Sequence, residues 1–514
     1  MEGSIRGKEE KVGWHRGHMF APASLLSKFG GIFYFSISKT MTTRTYIGEA
    51  SSHAGETILI KGWVDVRRDQ GKMVFFDFRD MTGLIQGVVL PNQAEVIEVA
   101  KTTRPESVVE VTGIVNKRPE RNVVADKVNG DIELEITGIR ILNHAEPLPF
   151  EINVDTKEVN EEVRLRHRYL DLRSARMQNN LRARDRVINY IRTFLHDEKF
   201  IEVETPMLTK STPEGSRDYI VPARLYPGTF YALPQSPQQY KQLLMTAGVE
   251  RYFQIARCMR DEDSRGDRQP EFTQLDMEMS FVDRDDVMAV NEALLIKMVT
   301  ELYPEKRIQA IPFPRITYKD AMEKYGNDRP DIREDKTDPN LLAFAWVIDF
   351  PFFESTETSD DPMAKGAWTY SHNPFSRPVA EHMDNLMEKK DIKDILTTQY
   401  DIILNGFEIG GGSIRNHDYN ALAKVFEILG HDEETIQSQF GHMLQAFKLG
   451  TPPHGGIAWG LDRFMMLMQN EPNIREVIPF PKTGEGRDPM MESPATVSEK
   501  QLDELHIVLK KPKA

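Results

Sequence analysis

Cysteine is nearly absent from this chain, which contains only Cys258 among its 514 residues. A single cysteine excludes an intrachain disulfide and a structural zinc site built from several cysteines. It is typical of proteins that work in a reducing compartment, so we expect a cytoplasmic location. Long apolar runs are also missing. No stretch reaches the ~18–20 residues that span a bilayer, and we expect no membrane partner.

An excess of positive charge is missing as well. The 79 acidic residues outnumber the 65 lysines and arginines, and the formal net charge is −14. This balance argues against a protein that coats nucleic acid nonspecifically, because such binding needs a broadly basic surface. It does not exclude a local basic face. The length suffices for two or three domains, and the 40% hydrophobic content is ordinary for a globular protein.

Residues 1–40 lack a regular pattern and combine the charged run "KEEK" with the apolar patch "GGIFYFSIS". An organelle transit peptide is poor in acidic residues, and the apolar patch comes too late for a signal peptide, so targeting functions are disfavoured. We interpret the segment as a disordered extension, or as sequence that precedes a true start at Met41.

From Met41 to residue 145, five short segments alternate apolar and polar residues and are separated by turn residues. This pattern predicts a small closed barrel, for which the oligonucleotide-binding fold (OB-fold) is the common form. Its candidate contacts with unpaired bases are Arg68, Phe75 and Gln86, since rings stack on bases, arginines meet phosphates and glutamine reads base edges. Two alternatives stay open. Either Phe75 or Phe76 points into the core, and small barrels host many other functions.

Residues 146–178 are interpreted as a linker after the proline-punctuated "HAEPLP". Eight arginines and only two acidic residues lie between Arg164 and Arg186. Such a run is usually the solvated face of a helix. A basic hinge between two domains is nevertheless a suitable place to contact a phosphate backbone.

The pattern of strands and helices in residues 179–514 predicts a second, larger domain. The segment "RVINYIRTFLHDEKF" is typical of an amphipathic helix with Val187, Ile191, Phe194 and Leu195 on one face. Further strands alternate with helices along the rest of the chain. We therefore expect an α+β protein in which the barrel precedes an antiparallel sheet flanked by helices.

A dense charged segment begins at Arg260. In "RDEDSRGDRQPEFTQLDMEMSF", eight of the first twelve residues are charged, and the rest alternates as a strand. Together with "STPEGSRDYIVPAR" before it and "GIAWGLDRF" after it, this segment resembles the class II aminoacyl-tRNA synthetases, and among them the bacterial aspartyl-tRNA synthetases. The resemblance covers roughly residues 41–510. It implies an anticodon-binding barrel, L-aspartate and ATP as substrates, tRNA(Asp) as a partner, and a homodimer.

Activation of an amino acid brings its carboxylate against the α-phosphate of ATP, and a fixed guanidinium can bridge these two anions. The resemblance assigns this role to Arg260. The ring of Phe272 would lie against one face of adenine, and Arg463 would cover the opposite face of adenine. The resemblance implies Arg260, Glu408 and Arg463 as the catalytic residues. The full implied ATP site consists of Arg260, Asp261, Glu262, Gln269, Phe272, Glu408, Gly460, Leu461, Asp462 and Arg463. Without the resemblance, Arg260 and Glu262 could equally be a cross-strand ion pair, and Phe272 a core residue.

Phosphoryl chemistry also requires Mg²⁺, and Asp401 and Glu408 in "YDIILNGFEIGGG" are its candidate ligands. The two residues are seven positions apart. On an unbroken strand this odd spacing places them on opposite faces. We therefore expect a distortion of the strand or a bridging water.

The resemblance implies a pocket that selects aspartate by charge. Its residues are Glu214, Ser236, Gln238, Lys241, Arg260, Asp276, His372 and Arg415. Asp276 would meet the substrate ammonium, and Lys241 and Arg415 would bind the side-chain carboxylate, since two converging cations repel unless an anion lies between them. In the alternative, Lys241 extends to solvent and Arg415 pairs with Glu408 or Asp276. Asn373 in "SHNPF" departs from the family's "HHPF", which puts strict selection against asparagine in doubt.

The bacterial family members carry an extra domain after a "YG-D-P-D-R" stretch. Here "YGNDRPDIR" is followed almost at once by "LLAFAWVIDFPFF", so we expect this insert to be missing. Two other functions stay open, namely a paralogue that activates aspartate without charging tRNA and a nucleic-acid-binding protein with an inactive second domain. The barrel argues against the first, and the combination of Arg260, Glu408 and Arg463 argues against the second. The residues also leave open whether tRNA(Asn) is a second acceptor.

Overall fold

The computed structural model describes residues 43–211, 215–356 and 367–510. The extension predicted for residues 1–40 lies outside these ranges. The chain divides into two compact units between Pro147 and Leu148. We call them the barrel unit and the sheet unit.

The barrel unit contains the five strands expected from the sequence: β1 (Thr57–Gln70), β2 (Met73–Asp80), β3 (Gly83–Val89), β4 (Val108–Lys117) and β5 (Ile132–Asn143). They close into a barrel in the order β1–β2–β3–β5–β4, as predicted. A helix, α1 (Ala94–Thr102), joins β3 to β4. The alternating pattern that revealed the strands gave no indication of this helix.

Strand β2 shows why these segments form a barrel. Val74, Phe76 and Phe78 point inward and are at most 4% exposed, and the rings of Phe76 and Phe78 stack with their centroids 5.2 Å apart. Phe75 and Asp77 alternate with them on the outer face. Of the two phenylalanines that the sequence could not separate, Phe76 is therefore the core residue.

The sheet unit is built from further strands and helices. Its strands are β6 (Ile201–Glu202), β7 (Ile220–Pro222), β8 (Phe230–Ala232), β9 (Arg251–Met259), β10 (Glu271–Ser280), β11 (Arg307–Ile308), β12 (Arg315–Thr317), β13 (Leu341–Leu342), β14 (Phe344–Ile348), β15 (Phe353–Ser355), β16 (Trp368–Tyr370), β17 (Tyr400–Leu404), β18 (Phe407–Ile414) and β19 (His454–Gly460). Its helices are α2 (Glu161–Arg166), α3 (Arg168–Asp171), α4 (Ala175–Asp197), α5 (Gln238–Thr246), α6 (Arg284–Leu302), α7 (Tyr318–Tyr325), α8 (Met383–Glu388), α9 (Tyr419–Ile428), α10 (Glu433–Phe447), α11 (Leu461–Met468) and α12 (Glu499–Glu504).

Eight of these strands form one sheet in the order β12–β14–β17–β18–β19–β10–β9–β6. From β14 to β9, neighbouring strands are antiparallel, as predicted. The edge strands β12 and β6 instead pair in parallel with β14 and β9. The sheet is therefore mixed, with an antiparallel centre.

Helix α4 shows how one face of this sheet is covered. Ser174 caps it, because the hydroxyl accepts a hydrogen bond from the backbone N–H of Met177 at 3.4 Å. The predicted apolar stripe is buried in the main core and consists of Val187, Ile191, Phe194 and Leu195. Each such side chain contributes roughly 1.5–3 kcal/mol relative to full exposure. Because α6 and α11 contribute to the same core, these three helices cover one face of the sheet.

A second core lies among α8, α9 and α10, where the rings of Phe426 and Phe440 stack with centroids 4.3 Å apart. It forms a helical layer of its own beside the sheet core. Throughout the described ranges, no helix combines the length and the apolar character needed to cross a membrane.

Candidate functional site

A cleft of about 350 Å³ opens on the other face of the sheet, beside the start of α5. This volume is typical of small-molecule sites. Most of the residues predicted to bind aspartate or ATP line it: Ser236, Gln238, Lys241, Arg260, Glu262, Gln269, Phe272, Asp276, His372, Glu408, Arg415, Gly460, Asp462 and Arg463. The structure therefore brings together side chains that are more than 200 residues apart in the sequence.

Alternation along the strands explains where the cleft forms. On β10, Leu275 belongs to the helix-covered core, so its neighbour Asp276 faces the other way. Asp276 stands opposite Ala458, Ala458 opposite Gly411, and Gly411 opposite Asp401. The small residues in the middle of this row leave space for a ligand, and a carboxylate stands at each end.

Arg260 follows the end of β9 directly, and its backbone N–H donates to the carbonyl of Pro270 at 2.9 Å. Its guanidinium lies over the ring of Phe272, 5.1 Å from the centroid, which is a cation–π distance. No atom of the described residues accepts a hydrogen bond from its buried Nε–H. A guanidinium that is anchored on a ring and retains an unpaired donor is suited to bind an anion.

Ion pairs fasten the charged loop that follows Arg260. Glu262 accepts a hydrogen bond from Arg268 at 3.3 Å and another from the hydroxyl of Ser216. The alternative in which Glu262 pairs with Arg260 is therefore not observed. The carboxylate of Asp261 faces Arg217, 3.9 Å away, and does not line the cleft. The structure thus does not place Asp261 where ATP was predicted to bind.

Two predicted ATP residues at the start of α11 serve the fold. Leu461 is fully buried in the main core and does not reach the cleft. Asp462 accepts hydrogen bonds from the backbone N–H of Thr273 at 2.8 Å and from Arg184 at 2.5 Å. Its carboxylate therefore fastens α11 to β10 and α4. The structure does not place the Leu461 side chain where ATP was predicted to bind.

Arg463 is held at the cleft wall. Its Nη1 donates to the carbonyl of Glu408 at 2.8 Å, and its Nη2 lies 3.3 Å from the carboxylate of Asp267. A side chain at Gly460 would meet no atom closer than 3.9 Å, so packing alone does not require glycine there. The buried Nε2 of Gln269 meets no acceptor in the described part of the chain. Both observations fit a ligand that lies against this wall.

Four buried charges form the floor of the cleft. The Nζ of Lys241 lies 3.1 Å from Asp276 and 3.5 Å from Glu278, and Arg415 donates to both oxygens of Glu278 at 2.8 and 3.0 Å. All four side chains are at most 3% exposed. The expectation that a substrate anion must separate Lys241 from Arg415 is wrong, because the protein itself supplies Glu278. The alternative of a solvent-directed Lys241 is not observed either.

The electrostatics of this floor follow from burial and pairing. Burial raises the pKa of Asp276 against the attraction of Lys241. Burial also acts to raise the pKa of Glu278, but Arg415 and Lys241 outweigh it and hold that pKa below its usual value. The Oδ2 of Asp276 accepts no hydrogen bond from the described residues. It is therefore an acceptor available to a ligand ammonium.

Glu278 is the functional residue that sequence reasoning missed. It lies two positions after Asp276 on β10, so the period of two along the strand was a signal for it. Gly456 stands opposite Glu278, and a side chain there would collide with the Glu278 carboxylate. The glycine therefore makes room for the anion.

Three further aspartate-site predictions lie at the cleft. Ser236 and Gln238, at the start of α5, line it together with His372. The buried Nε2 of Gln238 finds no acceptor among the described residues. The Nε2 of His372 lies 3.8 Å from Asp401. The predicted residue Glu214 falls outside the described ranges.

Asp401 and Glu408 do not share an unbroken strand. Asn405 and Gly406, with φ of +51° and +86°, form a tight turn between β17 and β18. Glu408 stands opposite Ile403, which is two residues from Asp401, so both carboxylates lie on one face. The expected distortion is therefore present, as this turn and as a shift of register in the pairing of β17 with β18 between Ile402 and Ile403. The "NG" pair was the signal for the turn in the sequence.

These two carboxylates fit a magnesium ion. A side chain at Gly411 would meet Asp401 at 2.6 Å and Glu408 at 3.6 Å, so both converge over this glycine. Burial and the charge of Glu408 raise the pKa of Asp401 well above its usual value, an effect that a bound cation would oppose. No group of three or more potential metal ligands surrounds one point in the described ranges. Mg²⁺ commonly takes one or two carboxylates and completes its shell with water and phosphate oxygens.

The three predicted residues of the barrel unit share its outer face. Arg68 stands opposite Phe75, and Asp77, two residues further on, stands opposite Gln86. Asp77, which the sequence did not single out, accepts hydrogen bonds from both terminal nitrogens of Arg68 at 2.8 and 3.1 Å. An aromatic ring, a glutamine and an oriented guanidinium are thus presented together.

The arginine-rich segment after the barrel is largely paired inside the sheet unit. Arg164 and Arg176 both bind Glu476, and Arg168 donates to Asp171 at 2.6 Å. Although burial alone would raise it, the pKa of Glu476 is lowered to about 2 by Arg164 and Arg176. The interpretation of this segment as a phosphate-binding hinge is therefore wrong for these three arginines.

Known protein families match both units. Residues 58–142 match an OB-fold nucleic acid binding domain, and residues 160–484 match the tRNA synthetases class II (D, K and N). The second match covers more than half of the chain. The chain belongs to this synthetase family.

Relatives extend the match over almost the whole synthetase. It is 41% identical to an aspartate–tRNA(Asp/Asn) ligase of Rubrobacter xylanophilus, with 89% of this chain and 95% of that protein covered. It is 37% identical to an aspartate–tRNA ligase of Macrococcus caseolyticus, with 90% and 98% covered. An asparaginyl-tRNA synthetase of Pyrococcus horikoshii, complexed with asparaginyl-adenylate, has a TM-score of 0.69 at 23% identity and covers 86% of this chain and 99% of its own. That last likeness shows the fold alone.

The alignment also bears on the predicted missing insert. The alignment with the Rubrobacter protein is 584 positions long, but it includes only 89% of the 514 residues of this synthetase, which is about 457 residues. At the remaining positions, about 127, the Rubrobacter protein has residues and this synthetase has gaps. In the structure, α7 ends at Tyr325 and β13 begins at Leu341. The connection is too short for a folded domain, which agrees with the absence of the insert.

Proposed function

We propose that the synthetase is an aspartate–tRNA ligase that forms aspartyl-adenylate from L-aspartate and ATP and transfers the aspartyl group to the 3′ end of tRNA(Asp). The observation that carries this proposal is the distribution of charge in the cleft. Arg260 presents an unpaired donor at the wall, and Asp276 presents an unpaired acceptor at the floor, both with respect to the described residues. These two groups match the carboxylate and the ammonium of an amino acid.

The rest of the floor supports aspartate as the amino acid. If Asp276 pairs with the ammonium group of the substrate, three charged side chains remain on the floor: the cations Lys241 and Arg415 and the anion Glu278. Together they carry a net charge of one positive unit. A substrate carboxylate is attracted there, whereas the amide of asparagine gains less and the ammonium of lysine is repelled. Asn373 does not change this balance, because it carries no charge.

In the proposed activation step, a carboxylate oxygen of aspartate attacks the α-phosphorus of ATP. The new P–O bond forms as the bond to pyrophosphate breaks, and pyrophosphate leaves with the electron pair. Arg260 stabilises the negative charge at phosphorus, while Phe272 and Arg463 hold the adenine. Mg²⁺ bound by Asp401 and Glu408 would neutralise phosphate charge.

We further propose that the barrel face of Arg68, Phe75 and Gln86 binds the tRNA anticodon by stacking and hydrogen bonding. The protein acts in the cytoplasm as a homodimer. An apolar, 55% exposed Ile201 on the edge strand β6 supports pairing with a second copy, since edge strands offer unpaired backbone groups.

The test is ATP–pyrophosphate exchange with aspartate, asparagine or lysine, followed by charging of tRNA(Asp) and tRNA(Asn) transcripts. We expect exchange with aspartate and charging of tRNA(Asp). Charging of tRNA(Asn) as well would match the wider name of the Rubrobacter relative. Exchange without any charging would instead indicate a paralogue that makes another product from aspartate, and no exchange would indicate a protein that only binds nucleic acid.

A further inference from the structure

A short chain of uncharged polar groups connects Asn373 to Asp401. The Nδ2 of Asn373 donates to Oε1 of Gln399 at 3.2 Å, and Nε2 of Gln399 donates to Oδ1 of Asp401 at 2.9 Å. The hydroxyl of Ser376 lies 3.2 Å from Oδ1 of Asn373 and 3.4 Å from Oε1 of Gln399. Ser376, Gln399 and Asp401 are at most 5% exposed, while Asn373 and Gln399 line the cleft.

The neighbours of Gln399 fix the orientation of its amide. If the amide were turned over, its NH₂ group would face the NH₂ group of Asn373, and its carbonyl oxygen would face the carboxylate of Asp401. The first contact would set donor against donor and the second acceptor against acceptor. Because Gln399 and Asp401 are buried, these mismatches would be costly.

Asn373 is itself fixed by the backbone. Its Oδ1 accepts a hydrogen bond from the backbone N–H of Phe375 at 3.0 Å, which leaves the NH₂ group directed at Gln399. The chain thus starts at an anchored amide and ends at the carboxylate that converges with Glu408 over Gly411. A rotation of Asp401 away from Glu408 would break the bond from Gln399.

We propose that Gln399 is a positioning residue that holds Asp401 in the orientation in which it meets a divalent cation shared with Glu408, and that Asn373 acts through Gln399. This inference rests on the proposed function, because it needs that cation. It gives Asn373 a role of its own. Where the family has the second histidine of "HHPF", this chain orients an amide network toward the metal carboxylate.

The experiment measures Mn²⁺ binding to the protein–ATP complex by electron paramagnetic resonance, with Mn²⁺ in place of Mg²⁺. Gln399→Met keeps the length of the side chain but removes its hydrogen bonds with Asn373, Ser376 and Asp401. We expect Mn²⁺ to bind about 10–100-fold more weakly, the usual effect of losing a group that orients a metal ligand. ATP binding without divalent metal should stay unchanged. Asn373→Ala should weaken Mn²⁺ binding less, and the double variant should be no worse than Gln399→Met, because the path to Asp401 is already cut.

Gln309→Met is the matched control. Gln309 also bridges two groups, since its Nε2 donates to the carbonyl of Ile332 at 3.1 Å and its Oε1 accepts from the N–H of Glu334 at 2.9 Å. It does not line the cleft. This variant should bind Mn²⁺ like the wild type and reports the general effect of losing a bridging glutamine.

The possible results separate the two proposals. If the wild-type complex with ATP binds no Mn²⁺, the metal site of the proposed function is wrong. If the wild type binds it and Gln399→Met binds it equally well, the positioning role is refuted. Additive losses in the double variant would refute the link through Gln399. Should Gln399→Met fail to fold, an unchanged Mn²⁺ affinity of the partly exposed Asn373→Ala would still overturn the proposal.

Discussion

Replacing Arg415 with leucine tests the charge arrangement on the cleft floor. Arg415 holds both oxygens of Glu278 at 2.8 and 3.0 Å, and the pair is almost fully buried. Removal of the guanidinium leaves Glu278 with Lys241 at 3.5 Å, and Lys241 already serves Asp276. Breaking a buried pair in this way typically costs about 3–5 kcal/mol of folding free energy. The pKa of Glu278 should rise in the variant, since its strongest partner is lost.

The same substitution should weaken aspartate activation. A loss of about 3–5 kcal/mol in transition-state binding corresponds to a decrease in kcat/KM for aspartate of roughly 10²–10⁴-fold. ATP binding should survive, because Arg260 and Arg463 lie at the wall of the cleft and not on its floor. The measurements are urea unfolding followed by fluorescence, aspartate-dependent pyrophosphate exchange, and equilibrium binding of ATP.

A double variant, Arg415→Leu with Glu278→Leu, separates the two effects. It leaves no lone carboxylate in the core, so its unfolding free energy should lie closer to that of the wild type than that of Arg415→Leu does. Aspartate activation should stay lost in both. The reasoning is refuted if Arg415→Leu keeps wild-type stability and activates aspartate well, or if the double variant loses the sum of two independent costs.

Four further predictions follow from the described contacts. Arg260→Ala should fold normally and lose about 10²–10³-fold in pyrophosphate exchange, and exchange near the wild-type rate would contradict its role. Phe75→Ala should weaken charging of tRNA by about 1–3 kcal/mol without affecting pyrophosphate exchange. The core variant Phe76→Ala is the comparison and should lose about 3–5 kcal/mol of folding stability. If Phe75→Ala reduces charging and exchange equally, the variant unfolds, and loss of the proposed contact is contradicted as the cause. Light scattering at micromolar concentration should give the mass of a dimer, and a monomer mass would contradict the pairing through β6. Glu476→Gln should cost about 3 kcal/mol at pH 7, because the folded pKa of about 2 lies below the ordinary 4.5. Its difference from the wild type should shrink as pH falls from about 5 toward 2, and a difference independent of pH would contradict the assignment.

The parts of the fold that were predicted correctly are those that depend on local sequence patterns. The five barrel strands and the apolar stripe of α4 follow from periodicity, and both were found where expected. The choice between Phe75 and Phe76 was open to the same reasoning, because Phe76 shares its face of β2 with Val74 and Phe78, whereas Phe75 shares its face with Asp77. For Asp401 and Glu408 a distortion was expected from their spacing, but the "NG" pair that forms the turn between them was not recognised.

Other errors arose because partners are distant in the sequence. Arg164 and Glu476 are 312 residues apart, so composition alone could not tell a paired arginine from one that is free to meet a phosphate. The misplacement of Leu461 has a different cause. Motif membership identifies the first turn of α11, but packing against the core decides which of its side chains faces the ligand.

The contacts between the two ends of the sheet unit have a consequence for how the protein is made. Arg168, near the start of this unit, donates to the carbonyls of Arg475, Ile478 and Pro479. These acceptors leave the ribosome some 300 residues after Arg168, so although Asp171 is already present to pair with it, the other donors of this guanidinium lack their partners through most of the synthesis of the chain. Domains generally fold as units during synthesis, and the sheet unit therefore reaches its closed core only when its last tenth has been made. A chain that is cut short before Arg475 would retain the cleft-forming strands but would lack Glu476, the carboxylate that pairs with Arg164 and Arg176, and the carbonyls that accept from Arg168.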